Sequence, residues 1–328
     1  MIQIIRKALS GIQLREPLKF KNMTVFPVFY KSLNGFQYIS LKKAMEKNLV
    51  KITEVSKAGL VPLVKVKNLS ELPVLILDGE EIQGAKQNRM INATVLIGKY
   101  SELDINVSCT EKGRWSYYSR PSTGYSGDDF LFADYASPCF MRRSKNKSVT
   151  ESLNKNKGYM SDQSRVWDDI EVCIESYDVP TTTSAYRDVY NARKDVFKQF
   201  SNSLPLQSGQ TGLLVAVNGK ICGFDMISLE SVFADLYSKL VESYAMDALM
   251  REKEQNEETT LVQAKEFLST MAKCSWNAFD SLGLGKDFRF KGQKKTGTAL
   301  FYKGCVIHAS FFSQESPAEA HEPPDWLR

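Results

Sequence analysis

A chain of 328 residues, 43% apolar and 25% charged, has the make-up of an ordinary globular protein, with enough apolar material for one large core or two joined ones. Its 43 basic and 38 acidic residues leave a net charge of +5 without an extended basic tract, which argues against nucleic acid as a partner, because phosphate tracking needs a broader basic stripe. No apolar run reaches the roughly twenty residues that cross a bilayer, and MIQIIRKALSGIQLREPLKF at the start lacks an apolar stretch followed by a cleavage site, so the expectation is a cytoplasmic protein with no membrane partner.

From Met23 to Cys109 the chain reads as successive strands: MTVFPVFY, VKITEV, LVPLVKVKNL, LPVLIL, INATVLI and LDINVSC. In the last, Leu103, Ile105, Val107 and Cys109 alternate with Asp104, Asn106 and Ser108, the period of a sheet with one wet face. Pro27 favours an edge or a bulge. LKKAMEKN interrupts as a short helix.

Residues 116–160 lose this periodicity to Gly, Ser, Tyr, Asn and Lys and read as an irregular excursion. Inside it, Met141–Lys147 (MRRSKNK) is the densest basic patch and reads as solvated loop.

Helical stripes follow. Val166, Ile170, Cys173, Ile174 and Tyr177 share one face, as do Tyr186, Val189, Tyr190, Val196, Phe197 and Phe200. A stronger stripe runs from Leu229 to Met250, and TTLVQAKEFLSTMAKCSW suggests one more helix. Hairpins surround them: TGLLVAVNGKICGFDMI turns at Asn218 and Gly219, and GTALFYKGCVIHASFF at Lys303 and Gly304. LPVLILDGEEIQGA looks like a third hairpin, turning at Asp78 and Gly79. SLGLGKDFRF reads as a connection, and residues 314–328, polar and Pro-rich, as a disordered tail after a single domain over 1–313.

Chemistry has little conventional material. The six cysteines have no zinc or redox spacing and read as small buried thiols without disulfides. There are two histidines, of which His308 reads as a half-buried strand residue and His321 lies in the tail. No phosphate loop or dinucleotide fingerprint occurs, and neither a cofactor nor a metal is implied. A hydrolase assisted by a metal on Asp and Glu alone ranks last, since no paired carboxylate spacing falls on a helix.

What remains is carboxylates, amides, arginines and aromatics. In LDGEEIQGAKQNRMINATVLI the third hairpin carries Glu80, Glu81, Gln87, Asn88, Arg89 and Asn92 where its sisters are apolar. Consecutive Glu80 and Glu81 face opposite ways in a strand unless a bulge brings both to one rim. Buried polar residues on both faces would need partners, which a polar pocket supplies. In SCTEKGRWSYY, Glu111, Arg114 and Trp115 follow the end of an alternating strand, and Arg beside Trp offers a planar cation with a stacking surface. Gln163, Arg165, Trp167 and Asp225 are weaker candidates.

These same motifs, with DQSRVWDDI, GLLVAVNGKICGFDMI and GKDFRFKG…GTALFYKGCVIHASFF, resemble the bacterial domain family associated with ADP-ribosylglycohydrolases and rhodanese-phosphatase proteins, from about Ile12 to Phe312. The resemblance implies a component of systems that handle ADP-ribose or other NAD-derived molecules and assigns no residue a role.

The expectation is therefore an α+β fold, a largely antiparallel sheet of hairpins with helices between residues 161 and 275. It is expected to bind an ADP-ribose-like or nucleotide-derived small molecule, with turnover of that molecule left open. Glu80, Glu81 and Glu111 are the catalytic candidates; Gln87, Asn88, Arg89, Asn92, Arg114 and Trp115 are the ligand-binding ones. The competing expectation is a non-catalytic regulatory protein that docks on a partner enzyme of the same pathway.

Overall fold

The computed structural model describes residues 1–32, 35–56, 60–115, 130–252 and 257–313, with 131–135 as backbone. The chain opens with α1 (Ile2–Ser10), then β1 (Gln13–Leu14), β2 (Leu18–Phe20) and β3 (Met23–Phe29). Pro27 sits in an interior strand, contrary to an edge, because β3 lies between β13 (Gly212–Val217) and the pair β1 and β2. On the β1 and β2 side, Met23–Val25 pair with β2 and Val28–Phe29 with β1. Pro27 falls in the gap, so its missing N–H breaks no ladder, while its carbonyl accepts from Arg15 N at 3.2 Å.

The expected early strands follow as β4 (Ile39–Ser40), β5 (Val50–Glu54), β6 (Leu63–Asn68), β7 (Val74–Ile76), β8 (Glu80–Gly84), β9 (Arg89–Ile91), β10 (Val95–Ile97) and β11 (Glu102–Cys109), with α2 (Leu41–Glu46) capped by the Ser40 hydroxyl. They form two sheets. One has the order β10-β7-β4; the other runs β12-β8-β9-β11-β6-β5, where β12 is Phe130–Ala136. The two ends of the longer order, β12 and β5, lie in contact, so the sheet curls round an apolar filling that includes Ile52, Val64, Ile82, Ile91, Ile105 and Val107.

Two expectations fail here. INATVLI is two strands: Ile91 pairs with Val107 in β11, whereas Val95–Ile97 pair with β7 in the other sheet. The third hairpin is not one, since β7 pairs with β10 and β4 while β8 pairs with β9 and β12. Only Gly79 has positive φ at that turn (+85°), and the chain passes there from one sheet to another. A two-residue hairpin of the expected kind takes positive φ at both positions, as Asn218 (+48°) with Gly219 (+76°) and Lys303 (+46°) with Gly304 (+75°) do.

Between residues 130 and 154 the expected excursion holds regular structure. Beyond 116–129, which lie outside the described residues, β12 leads to α3 (Cys139–Asn154). Then come α4 (Gln163–Tyr177), α5 (Tyr186–Ser203), β13, β14 (Lys220–Ile227), α6 (Glu230–Met250) and α7 (Leu261–Met271). β15 (Ser275–Asp280), β16 (Lys286–Gly292), β17 (Lys295–Tyr302) and β18 (Cys305–Ser313) complete the chain to residue 313, so part of SLGLGKDFRF is strand; the tail from 314 lies outside the described residues.

The large sheet has the order β1-β3-β13-β14-β18-β17-β16-β15, with β2 beside β3, antiparallel throughout. It divides two cores. Leu213, Val215 and Val217 face a core shared with α4, α5 and α6, while Leu214, Phe224 and Met226 face one shared with α1 and α7. A strand covered on both faces needs no polar alternation, which is why GLLVAV reads as one apolar run. The fold is α+β and mostly antiparallel, as expected. All six cysteines are free and buried, and no described helix is long and apolar enough to cross a membrane.

Candidate functional site

The two polar motifs meet at one end of the curled sheet. After β8, Gly84 (φ +125°) and Ala85 (φ +38°) turn the chain back towards β9, and the Arg114 guanidinium clasps this turn. It donates to Ala85 O at 2.8 Å, Gly84 O at 3.4 Å and Asn88 Oδ1 at 3.3 Å, and pairs with Glu111 at 2.7 Å. Glu111 in turn accepts from Asn88 N at 3.3 Å and from the Thr183 hydroxyl at 3.1 Å. Gln87 donates to Glu111 O, and Arg89 to Gln87 Oε1 at 2.6 Å. Gly113 permits this closeness: its N–H reaches Thr183 O at 2.8 Å, and a Cβ there would lie 2.8 Å from Thr183 Cα.

Arg89 is the unusual member. It is wholly buried, yet its Nε and Nη2 meet no hydrogen-bond acceptor, and its nearest carboxylate, Glu54 on β5, is 3.7 Å away. Burial lowers the pKa of its guanidinium and Glu54 opposes that shift; an arginine stays charged even so. One Glu54 oxygen, Oε2, is likewise buried without a donor, as is the Asn88 amide nitrogen without an acceptor. The Trp115 ring, 47% exposed, lies over this group, 5.6 Å from Arg89 Cζ and 5.3 Å from Lys86 Nζ. Among the described residues, three cations, Lys86, Arg89 and Arg114, thus stand with two carboxylates, Glu54 and Glu111, beside a half-exposed indole.

Gln87, Asn88, Arg89, Glu111, Arg114 and Trp115 are therefore together, Glu81 borders them through Thr110, whose N–H donates to Asn88 O at 3.0 Å, and Glu80 and Asn92 make their contacts elsewhere. Neighbours on an extended strand point to opposite faces, and although the pairing of β8 with β12 shifts register beside them, the two glutamates meet different partners. Glu80 accepts from Leu77 N at 2.8 Å and from Lys239 of α6 at 2.7 Å, while Glu81 accepts from the Thr110 hydroxyl. Asn92 donates to Tyr159 O at 3.1 Å and accepts from Ser108 at 2.6 Å. Of the weaker candidates, Gln163 is spent on both backbone groups of Cys109, Arg165 is exposed, and Trp167 lies under Lys112 at 5.4 Å. Glu54, which completes the cluster, went unnoticed because VKITEV shows only one acid closing an ordinary strand.

Asp225 belongs to a second buried ensemble that sequence reasoning missed. Arg142 donates to it from both terminal nitrogens, at 3.0 and 2.6 Å, and approaches Asp78 at 3.5 Å. Asp78 accepts from the Thr94 hydroxyl at 3.2 Å, Thr94 meets His308 Nδ1 at 3.0 Å, and His308 Nε2 returns to Asp225 at 3.3 Å. The five side chains form a closed circuit between the large sheet, α3 and the turn before β8. The MRRSKNK patch is not solvated loop: it is the first half of α3, with Arg142, Arg143, Lys145 and Asn146 all buried. Nor is His308 half-buried, for it has no exposure at all. Its ring is held at both nitrogens, which a strand pattern of apolar neighbours could not reveal.

Burial would raise the Asp225 and Asp78 carboxyls, but Arg142 beside both carries them below the ordinary carboxylate value. Lys145, donating to Ile91 O, is pulled down to about 7 by burial, with Asp78 opposing. Among the described residues no group of three or more His, Cys, Asp or Glu side chains could hold a metal ion.

No curated protein and no solved structure matches this chain. From residue 11 to residue 312, nearly its whole length, it matches the model of the ARG and Rhodanese-Phosphatase-superfamily-associated Protein domain, and it belongs to that family.

Proposed function

We propose that the chain binds an ADP-ribose-like, nucleotide-derived small molecule at the end of the curled sheet, between Arg89 and Trp115. The observation that carries this reading is the Arg89 guanidinium, buried with two nitrogens lacking acceptors beside a half-exposed indole. A buried donor left unmet costs roughly 1–3 kcal/mol, and a phosphate oxygen would recover it as a charge-assisted bond. The exposed face of Trp115 offers stacking to a base, with Lys86 adding positive charge. Arg114 commits its two terminal nitrogens to Gly84, Ala85, Asn88 and Glu111, so the phosphate role expected of it falls to Arg89. In this reading Glu54 Oε2, buried without a donor, joins Glu80, Glu81 and Glu111 as a candidate for the acid–base part. The family's association with ADP-ribosylglycohydrolases favours this ligand class.

The test is calorimetry and Trp115 fluorescence with ADP-ribose, NAD and AMP. Binding should occur, weaken at least about tenfold in Arg89→Gln, and fall with salt. Absence of binding by all three ligands, or full retention in Arg89→Gln, rejects the assignment. Capture of a partner enzyme by a protein that binds none of them supports the docking reading instead.

A further inference from the structure

α7 buries Ala264, Phe267, Leu268 and Met271 against the large sheet, and the flank beside that buried face carries Thr259 just before the helix, then Gln263, Glu266, Phe267 and Thr270. Helical spacing of three and four puts these side chains in one line. Opposite them lie Lys220 and Ile221 at the start of β14 and the turn at Lys294–Lys295 before β17. Between the two walls is a cleft of about 500 Å³ that shares no residue with the Arg89 and Trp115 cluster.

Three observations bear on what it takes. Among the described residues that line it three are lysines and one, Glu266, is a carboxylate, with Glu257 beside Gly219, so the cleft favours an anion. Lys295 is not a loose surface cation: it donates to the Thr270 hydroxyl at 2.7 Å and lies 4.8 Å over the Phe267 ring, which fixes its ammonium at the cleft wall. Thr259 is only 4% exposed, yet its hydroxyl has no hydrogen-bond partner. An acceptor on a ligand would satisfy that donor. Phe267 and Ile221 supply an apolar surface beside the charges.

We propose that this cleft is a second binding site, for a phosphate monoester that carries a small apolar or aromatic group. The phosphate meets the lysines and Thr259, and the ring lies against Phe267 and Ile221. The site is independent of the nucleotide reading above.

The full chain is titrated calorimetrically with phenyl phosphate, and with inorganic phosphate and phenol as its two halves. One site is expected in Arg89→Gln, whose first site is disabled, with phenyl phosphate bound at least about tenfold more tightly than either half. Lys220→Gln combined with Lys294→Gln, both at exposed positions, should weaken it by about tenfold, and Glu266→Gln should strengthen it. Thr259→Val should weaken it severalfold, and if that variant fails to fold, the lysine pair decides. Arg89→Gln should leave it unchanged. Absence of heat at millimolar phenyl phosphate, equal affinity in the lysine pair variant, or loss in Arg89→Gln overturns the proposal.

Discussion

Arg142 grips Asp225 with both terminal nitrogens, and neither side chain reaches solvent. Tyr244 of α6 adds a third donor to the same carboxylate at 2.7 Å. Two charges taken out of water contribute little net stability while paired, but the loss of one strands the other.

Arg142→Ala should therefore lower the unfolding free energy by about 3–5 kcal/mol in urea denaturation. Arg142→Lys should recover only part of this, because an ammonium cannot hold both carboxylate oxygens in the planar fork. A loss below about 1 kcal/mol in the alanine variant would show that the circuit is not a buried ion pair of the usual kind.

Lys145 predicts a pH dependence of definite sign. Its folded pKa, about 7, lies below its ordinary 10.5, so between these values the unfolded chain binds the proton that the folded chain has released. Stability then rises with pH in that window. Tyrosines and cysteines with raised values act oppositely at the alkaline end, so the measurement is the difference between the natural protein and Lys145→Met from pH 6 to 9. That difference should shift in favour of the natural protein as pH climbs above about 7; a flat difference would refute the assignment.

Gly79 is held at φ +85°, and a Cβ there would sit 2.8 Å from Arg142 Cγ. Gly79→Ala combines backbone strain of order 1 kcal/mol with displacement of the arginine, so its cost should exceed about 2 kcal/mol. Its effect should be less than additive with Arg142→Ala, since both act on one contact. Additivity within error in a double-mutant cycle would disprove the coupling.

Arg89 and Arg114 separate binding from structure. Arg114→Ala removes the clasp on the turn at 84–88 and should cost about 1–3 kcal/mol of stability. Arg89→Gln, which leaves the buried Glu54 carboxylate without its cation, should lower stability as well, but it should weaken ligand affinity at least about tenfold where Arg114→Ala does not. Thermal unfolding and calorimetry on both variants read the two effects apart, and the reverse pattern would exchange their roles.

Local order was legible where a residue's neighbours in the chain determine its environment. The alternation in LDINVSC became β11, the long stripe near Leu229–Met250 became α6, and Asn218-Gly219 turned a hairpin, because backbone sterics and side-chain period act over a few residues. The convergence of Gln87, Asn88 and Arg89 with Glu111, Arg114 and Trp115 was also within reach, since β9 and β11 are neighbours close in sequence.

Misreading began where charge was judged by composition. MRRSKNK has the residues of a wet loop, and its helix is only weakly amphipathic, so periodicity could not reveal that Arg142 and Lys145 point inwards. LDGEE imitates a hairpin tip, yet β8 folds back on β7 only if the same sheet accepts both strands, and here two different sheets do.

By itself, then, the sequence determined many of the strands, the helices α2 and α4 to α7, the two tight hairpins, the α+β class and the polar character of the segment from Glu80 to Asn92. Only the tertiary structure decided what each charge faces. Glu80 meets Lys239 across 159 positions and Arg142 meets Asp225 across 83. Chain-local forces cannot specify such pairs; they arise when packing removes water from both partners and each must find its counter-charge in whatever layer lies opposite.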